Sequence, residues 1–212
     1  MKNQPAMVGA LVARASASAA QSPGIVLPDR LAPATRATIL RLIDSAQSVG
    51  LPVTPLVNKT AEGVLKGADD QRIVRAVQSL ARELGDARTA LGATSDLALL
   101  GAAANALHAG LKVDELRRLR DASSAGNDAL TSALVTLVDL VSRRVPLSDA
   151  TGSMHDLLER RASEKQFAAL RADVERDISA GQAPEAALRT RVGSQLRVLD
   201  AAPLDVRRPP MR

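Results

Sequence analysis

One group of closely spaced residues has the types and spacing of a possible contact site. It consists of three charged residues and a glycine: Lys59, Glu62, Gly63 and Lys66. Glu62 follows Lys59 by three residues and precedes Lys66 by four, so a helix would bring the three charges together. Gly63 costs about 1 kcal/mol relative to alanine inside a helix, which favours a close helix approach or a contact site there. We predict that these four residues form an interaction surface.

The two histidines, His108 and His155, each stand alone, with no second histidine three or four residues away. A zinc site needs further nitrogen or sulfur ligands, and the chain has no cysteine. His108 precedes the predicted end of a helix, where partial positive charge is favoured. His155-Asp156 could form half of a catalytic relay, but no Gly-x-Ser-x-Gly turn accompanies it. No glycine-rich phosphate loop occurs. We predict no catalytic residue, metal ligand or cofactor.

Three alternating acidic residues, Asp173, Glu175 and Asp177, fall within a predicted helix. Helical geometry places Asp173 and Asp177 on one face and Glu175 on another. A calcium loop would need glycine and an irregular backbone, which this segment lacks. We therefore interpret the three carboxylates as part of a solvated helix face.

The composition limits the classes of partner. The chain has no tryptophan or tyrosine and one phenylalanine, so few aromatic platforms exist on which nucleic-acid bases could stack. The net charge is +5, but residues 51–150 hold equal numbers of basic and acidic side chains. The excess therefore lies towards the two ends, whereas a nucleic-acid-binding domain usually carries it as a patch on the folded surface. This distribution argues against nucleic acid as the partner.

Both ends differ from the body. Residues 1–28 contain a basic residue at Lys2, the short apolar run 6–13, and Ala17-Ser18-Ala19 as a cleavage site, although Arg14 interrupts the pattern. These features favour a signal peptide and a periplasmic or secreted protein. A disordered leader on a cytoplasmic protein is the alternative. Residues 201–212 contain three prolines and three arginines, and we predict a disordered tail there.

Residues 29–200 repeat the apolar 3.6-residue period of amphipathic helices, separated by short turns. No segment alternates in the manner of a strand. We predict one all-α domain of seven to nine helices, arranged as stacked antiparallel hairpins without a β-sheet. The predicted helix-capping residues include Ser95, Asn127, Ser148 and Ser163.

Two segments match at a distance of 94 residues. Pro52 to Ala68 spans the same number of positions as Pro146 to Ala162, and a hydrophobic residue precedes each proline. The match indicates a degenerate αα-repeat. The alternative is that any two amphipathic hairpins align this well by chance. In either case one hairpin cannot bury its apolar stripe alone, so the hairpins must pack together.

The first of these segments, LPVTPLVNKTAEGVLKGA, resembles uncharacterised, often exported, bacterial helical proteins that carry a Pro-Leu…Lys…Glu-Gly…Lys-Gly line. The resemblance covers residues 50–190 at most. It implies a helical fold and is compatible with export, and it implies no activity. The residues that carry it are Pro55, Leu56, Lys59, Glu62, Gly63, Lys66 and Gly67.

Taken together, these patterns favour a non-enzymatic structural or protein-interaction module of the bacterial cell envelope, with an unknown protein partner. One alternative is a cytoplasmic adaptor or nucleic-acid-associated protein that uses its basic termini. Another is an enzyme with carboxylate or serine chemistry in a groove between hairpins. The oligomeric state cannot be deduced from the sequence.

Overall fold

The computed structural model describes residues 26–92, 94 and 96–201, and these residues form nine helices and no strand. The all-α prediction is confirmed for this part of the chain. The predicted leader, apart from residues 26–28, and the tail beyond Ala201 lie outside the described residues. The helices are α1 (Pro33–Ser48), α2 (Thr54–Leu65), α3 (Asp70–Leu91), α4 (Leu97–His108), α5 (Val113–Ala122), α6 (Asn127–Ser142), α7 (Leu147–Glu159), α8 (Glu164–Ser179) and α9 (Pro184–Ala201).

Polar side chains begin several of these helices by accepting backbone hydrogen bonds that would otherwise have no partner. Asp69 accepts from the N–H of Arg72 at 2.8 Å and so starts α3. Ser163 starts α8 as predicted, and its N–H donates to the side chain of Gln166 at 2.7 Å. The hydroxyl of Ser163 also donates to Gln166 Oε1, at 2.9 Å, so the Gln166 side chain accepts two hydrogen bonds from the residue that precedes the helix.

Three helices begin at residues other than those expected from the predicted caps. Asp96 caps α4, accepting from the N–H groups of Ala98 and Leu99, whereas Ser95 lies outside the described residues. Asn127 is the first residue of α6. Ser148 lies inside α7, which begins one residue earlier. Serine and asparagine suit turns as well as caps, so their type alone does not fix a helix boundary to the residue.

Six helices end in the same turn, the Schellman motif. At the end of α2, the N–H of Gly67 donates to the carbonyl of Val64, and the N–H of Ala68 donates to the carbonyl of Gly63, both at 3.0 Å. Equivalent pairs of bonds end α1, α4, α6, α7 and α8. The residue with positive φ in these six turns is Gly50, Gly67, Gly110, Arg144, Arg161 or Gly181.

The helices pack in two rows. The odd-numbered helices contact one another in chain order from α1 through α3, α5 and α7 to α9, and α4, α6 and α8 form a second row. Helix α2 packs chiefly against α3. Contacts between the rows enclose one core of aliphatic side chains together with Phe167. The sequence repeat itself stays a prediction.

Helices α3 and α4 pack against each other, and small side chains are prominent among the buried residues of both. Ala87 and Ala90 of α3 and Ala103 and Ala106 of α4 are completely buried. This agrees with a composition in which aliphatic residues and alanine replace aromatic ones. Within the described part of the chain, no helix combines the length and the apolar character needed to cross a membrane.

Candidate interaction groove

Helices α2 and α4 both lie against α3, but they are not among each other's principal contacts. Between them runs a groove of about 420 Å³. Helix α3 contributes two apolar side chains and one carboxylate to it, and α2 and α4 contribute mostly polar side chains. We call this feature the α2–α4 groove, and it is lined by Pro55, Asn58, Lys59, Glu62, Ala76, Leu80, Glu83, Asn105 and His108.

The charge ladder of α2 borders this groove. Lys59 Nζ lies 3.1 Å from Glu62 Oε2, and Lys66 Nζ donates to Glu62 Oε1. Hydrogen bonds from Lys66 and Lys59 hold the pKa of the Glu62 carboxyl below its ordinary value. Of the predicted surface residues, Lys59 and Glu62 line the groove, whereas Lys66 and Gly63 do not.

Gly63 lies where α2 approaches α3. A Cβ atom at this position would lie 2.8 Å from Cγ1 of Ile73, which is buried in the core. Real Cβ atoms essentially never approach another heavy atom so closely. The glycine therefore permits a tight contact between the two helices, which is one of the two roles that its helical position suggested.

A second carboxylate reaches the groove from α3. Glu83 accepts a hydrogen bond from Ser79 Oγ at 3.0 Å, and its Oε1 lies 2.9 Å from His108 Nδ1. The Glu83 side chain is only 16% exposed, and no lysine or arginine among the described residues lies within ion-pair distance of it. Sequence reasoning missed this pair because 25 residues separate its members.

Two amide side chains complete the polar lining. Asn58 projects from α2 and Asn105 from α4, and both residues are exposed. Neither side chain hydrogen bonds to another described residue. Each therefore presents a donor NH₂ group and an acceptor carbonyl to the solvent.

The second histidine belongs to a different cluster. Ligand-type atoms of His155, Asp156 and Glu159 lie within 4.8 Å of one another on α7. His155 Nδ1 is 3.9 Å from Glu159 Oε2, the distance of a loose ion pair. Asp156 and Glu159 are exposed, and exposed acidic groups commonly cluster in this way without a metal. The geometry therefore does not assign a ligand role to His155.

The interpretation of Asp173, Glu175 and Asp177 as a solvated face is wrong for Asp177. This carboxylate is buried and receives two hydrogen bonds of 2.6 Å from Arg191 of α9. Those bonds keep the pKa of Asp177 below its ordinary value. Glu175 points elsewhere and pairs at 3.1 Å with Arg143, the residue that follows α6. The alternating acids connect α8 to two neighbouring helices, which periodicity alone could not indicate.

Comparison of the chain with protein-family models, with curated proteins and with solved structures gave no match. The resemblance noted for the Pro55 segment therefore stays a prediction.

Proposed function

We propose that this chain is a non-enzymatic protein-interaction module of the bacterial cell envelope, and that the α2–α4 groove is its contact surface. The observation that carries the proposal is the separation of α2 from α4 over a shared neighbour, α3. In the second row, α4 packs directly against α6, and α6 packs directly against α8. Helix α2 does not pack in this way against α4, and the groove lies where that contact is missing.

The electrostatics of Glu62 favour a fixed charged contact over proton transfer by this carboxyl group. A general acid needs a pKa raised towards neutrality. The pKa of Glu62 is shifted in the opposite direction, because Lys66 and Lys59 stabilise its charged form. Such a carboxylate keeps its charge at neutral pH and can serve as a fixed electrostatic contact for a partner.

Crosslinking in the cell tests the interaction role. A photo-activated amino acid is placed at Asn58, inside the groove, and in a matched control at Asn127, an exposed position at the start of α6. We expect a discrete protein adduct at Asn58 and none at Asn127. Equal labelling at the two positions would contradict a specific contact surface in the groove.

The envelope location rests on the residues around Ala17-Ser18-Ala19 and has its own test. The intact mass and N-terminal sequence of protein purified from its native cell should reveal cleavage near Ala19 or Ala20. Protein that retains Met1 and fractionates with the cytoplasm would instead support the cytoplasmic adaptor. A salt series with RNA and DNA would then examine the basic termini.

A further inference from the structure

We propose that a second groove, between α1 and α3, binds an aliphatic carboxylic acid whose carboxylate pairs with Arg82. The groove encloses about 490 Å³. Small-molecule sites enclose about 300–1,000 Å³ and are lined chiefly by apolar side chains with a few polar groups. This groove shares no lining residue with the α2–α4 groove, so the inference goes beyond the proposed function and does not rest on it. We call it the α1–α3 groove, and it is lined by Leu42, Ser45, Ala46, Val49, Leu51, Gln78, Ala81 and Arg82.

Helical spacing and one turn bring the apolar lining together. Leu42, Ala46 and Val49 follow one another at intervals of four and three residues, so they lie on the same side of α1 and its last turn. In the Schellman motif that ends α1, the N–H of Leu51 donates to the carbonyl of Ala46 at 2.9 Å, which turns Leu51 back towards that side. Ala81 faces these residues from α3. Five of the eight lining residues are therefore aliphatic, which suits a hydrocarbon chain.

Arg88 of α3 fixes the end of α1 beside the groove. Its Nη1 atom donates to the carbonyl of Val49 at 2.9 Å and to the carbonyl of Gly50 at 2.6 Å. Carbonyls at the C-terminus of a helix lack intrahelical partners, so these bonds satisfy groups that would otherwise need water. They also tie the end of α1 to α3. A groove whose walls are held in place loses less conformational entropy when a ligand binds.

Arg82 supplies the charge that selects the headgroup. It is the one charged residue among the lining residues, and no described residue pairs with its side chain. A guanidinium group can donate two parallel hydrogen bonds to a carboxylate. The other charged residues of the neighbouring segments 41–51 and 75–88 lie outside the lining and carry three charges of each sign: Arg41, Asp44, Arg75, Glu83, Asp86 and Arg88. The surroundings are therefore balanced, and the groove itself carries one positive charge.

Two uncharged polar groups can add hydrogen bonds to the same ligand. Gln78 precedes Arg82 by four residues, so the two side chains lie on one face of α3. The Ser45 hydroxyl reaches the groove from α1. Both Ser45 and Gln78 are exposed, and neither side chain hydrogen bonds to another described residue. An amide and a hydroxyl can each donate to a carboxylate oxygen.

A groove of the same volume between α7 and α9 has a different character. Its one arginine, Arg189, is already paired with Glu185, and Asp149 adds a second carboxylate. An anionic ligand would therefore meet net negative charge there. Of these two grooves, the α1–α3 groove is the one whose cation has no partner among the described residues.

Isothermal titration calorimetry of the unmodified full chain with decanoate is the first test. We expect saturable binding at one site. Octanoate should bind about tenfold more weakly, because two fewer CH₂ groups are removed from water. Decyltrimethylammonium, which has the same chain length and a positive headgroup, should not displace decanoate. Absence of saturable decanoate binding, or equal binding of the cation, would overturn the proposal.

Charge substitutions test the role of Arg82. Arg82→Gln should weaken decanoate binding about three- to fivefold, the effect of losing one exposed ion pair. Arg72→Gln is the matched control and should leave binding unchanged, because Arg72 is also an exposed, unpaired arginine of α3 but lies outside the groove. Circular dichroism checks that both variants keep their helix content. An equal effect of the two substitutions would show that the general positive charge of the chain holds the ligand, which contradicts the inference.

A tryptophan reporter locates the bound ligand. The protein has no tryptophan or tyrosine, so Val49→Trp introduces a single strong fluorophore into the lining of the groove. Val198→Trp is the control, since Val198 is 65% exposed, close to the 61% of Val49, and lies outside the groove. Decanoate should shift the emission to shorter wavelength at position 49 alone, because the ligand removes water from the indole.

Loss of decanoate binding in Val49→Trp alone would also place the ligand in the groove, because the indole would then occupy the site itself. If the unmodified chain binds decanoate but the two tryptophan variants bind and respond alike, the ligand lies elsewhere and the inference is wrong.

Discussion

Helices α2 and α7 come from the two segments that match at a distance of 94 residues, yet their surroundings differ. Each helix ends in a Schellman motif, and each follows a turn that contains proline. Helix α2 packs chiefly on α3, the helix after it. Helix α7 packs on α5, α6 and α9, and α8 is not among its principal partners. Equal local structure therefore does not ensure equal tertiary roles.

The buried positions of the two helices show the physical basis of this difference. Thr60 and Gly63 of α2 correspond to Met154 and Leu157 of α7. The two residues of α7 are completely buried, and their large side chains fill the space between several helices. The small residues of α2 let it approach one helix closely. Side-chain volume thus separates the two packing environments.

Shortening a core side chain in α7 should produce the largest effect. We expect Leu157→Ala to lower the free energy of unfolding by about 3 kcal/mol, because it removes a buried side chain and leaves a cavity. Leu65→Ala in α2 is the matched control, since Leu65 is 89% exposed and surface changes stay within about 0.5 kcal/mol. Urea denaturation measures both. Similar losses would show that the two helices are buried alike.

Replacing a glycine by alanine should change the free energy of unfolding in opposite directions in the two helices. Gly63→Ala in α2 should lower the unfolding free energy by about 1–2 kcal/mol, because the clash with Ile73 outweighs the gain in helix propensity. Gly152→Ala in α7 should raise it by up to about 1 kcal/mol, since a Cβ there meets no atom within 4 Å. Thermal and urea unfolding of each variant show whether the free energy of unfolding rises or falls. Stabilisation by both changes would disprove the close α2–α3 contact.

Substitutions in the turns that flank the two helices should change the free energy of unfolding by a smaller amount. Glycines at 50 and 67 hold the positive-φ positions around α2, whereas Arg144 and Arg161 hold the equivalent ones around α7. Arg161→Gly should raise the unfolding free energy by about 0.5 kcal/mol, because glycine adopts this conformation without the strain of a side chain. The converse change, Gly67→Arg, should lower it by about 1 kcal/mol. Destabilisation by Arg161→Gly would indicate that the arginine side chain contributes more than its backbone costs.

The smallest effect concerns the charge ladder on α2. The pKa of Glu62 is depressed in the folded state, so its contribution to stability is present above the unfolded-state pKa of about 4.3 and is lost as the pH falls through the folded value. Glu62→Gln should therefore flatten the acid side of a stability–pH curve. Lys66→Gln should produce part of the same change, because Lys66 is the main cause of the shift. An unchanged curve in both variants would show that solvent screens the ladder completely.

Much of the local structure follows from the sequence because its causes are local. The apolar period predicted the helices, and Ser163 marked the start of α8. The ladder of Lys59, Glu62 and Lys66 depends only on helical spacing, and it forms in the expected way. Export, partners and the repeat stay predictions.

Only the tertiary structure decided which distant residues meet. The contact of Glu83 with His108 and the pair formed by the buried Asp177 with Arg191 join residues on different helices. No periodic pattern records such pairs, because they depend on which helices become neighbours after the chain alternates between two rows. The sequence determines which side chains each helix can bury. Packing determines where side chains do not fill the space between neighbouring helices, as in the groove between α2 and α4.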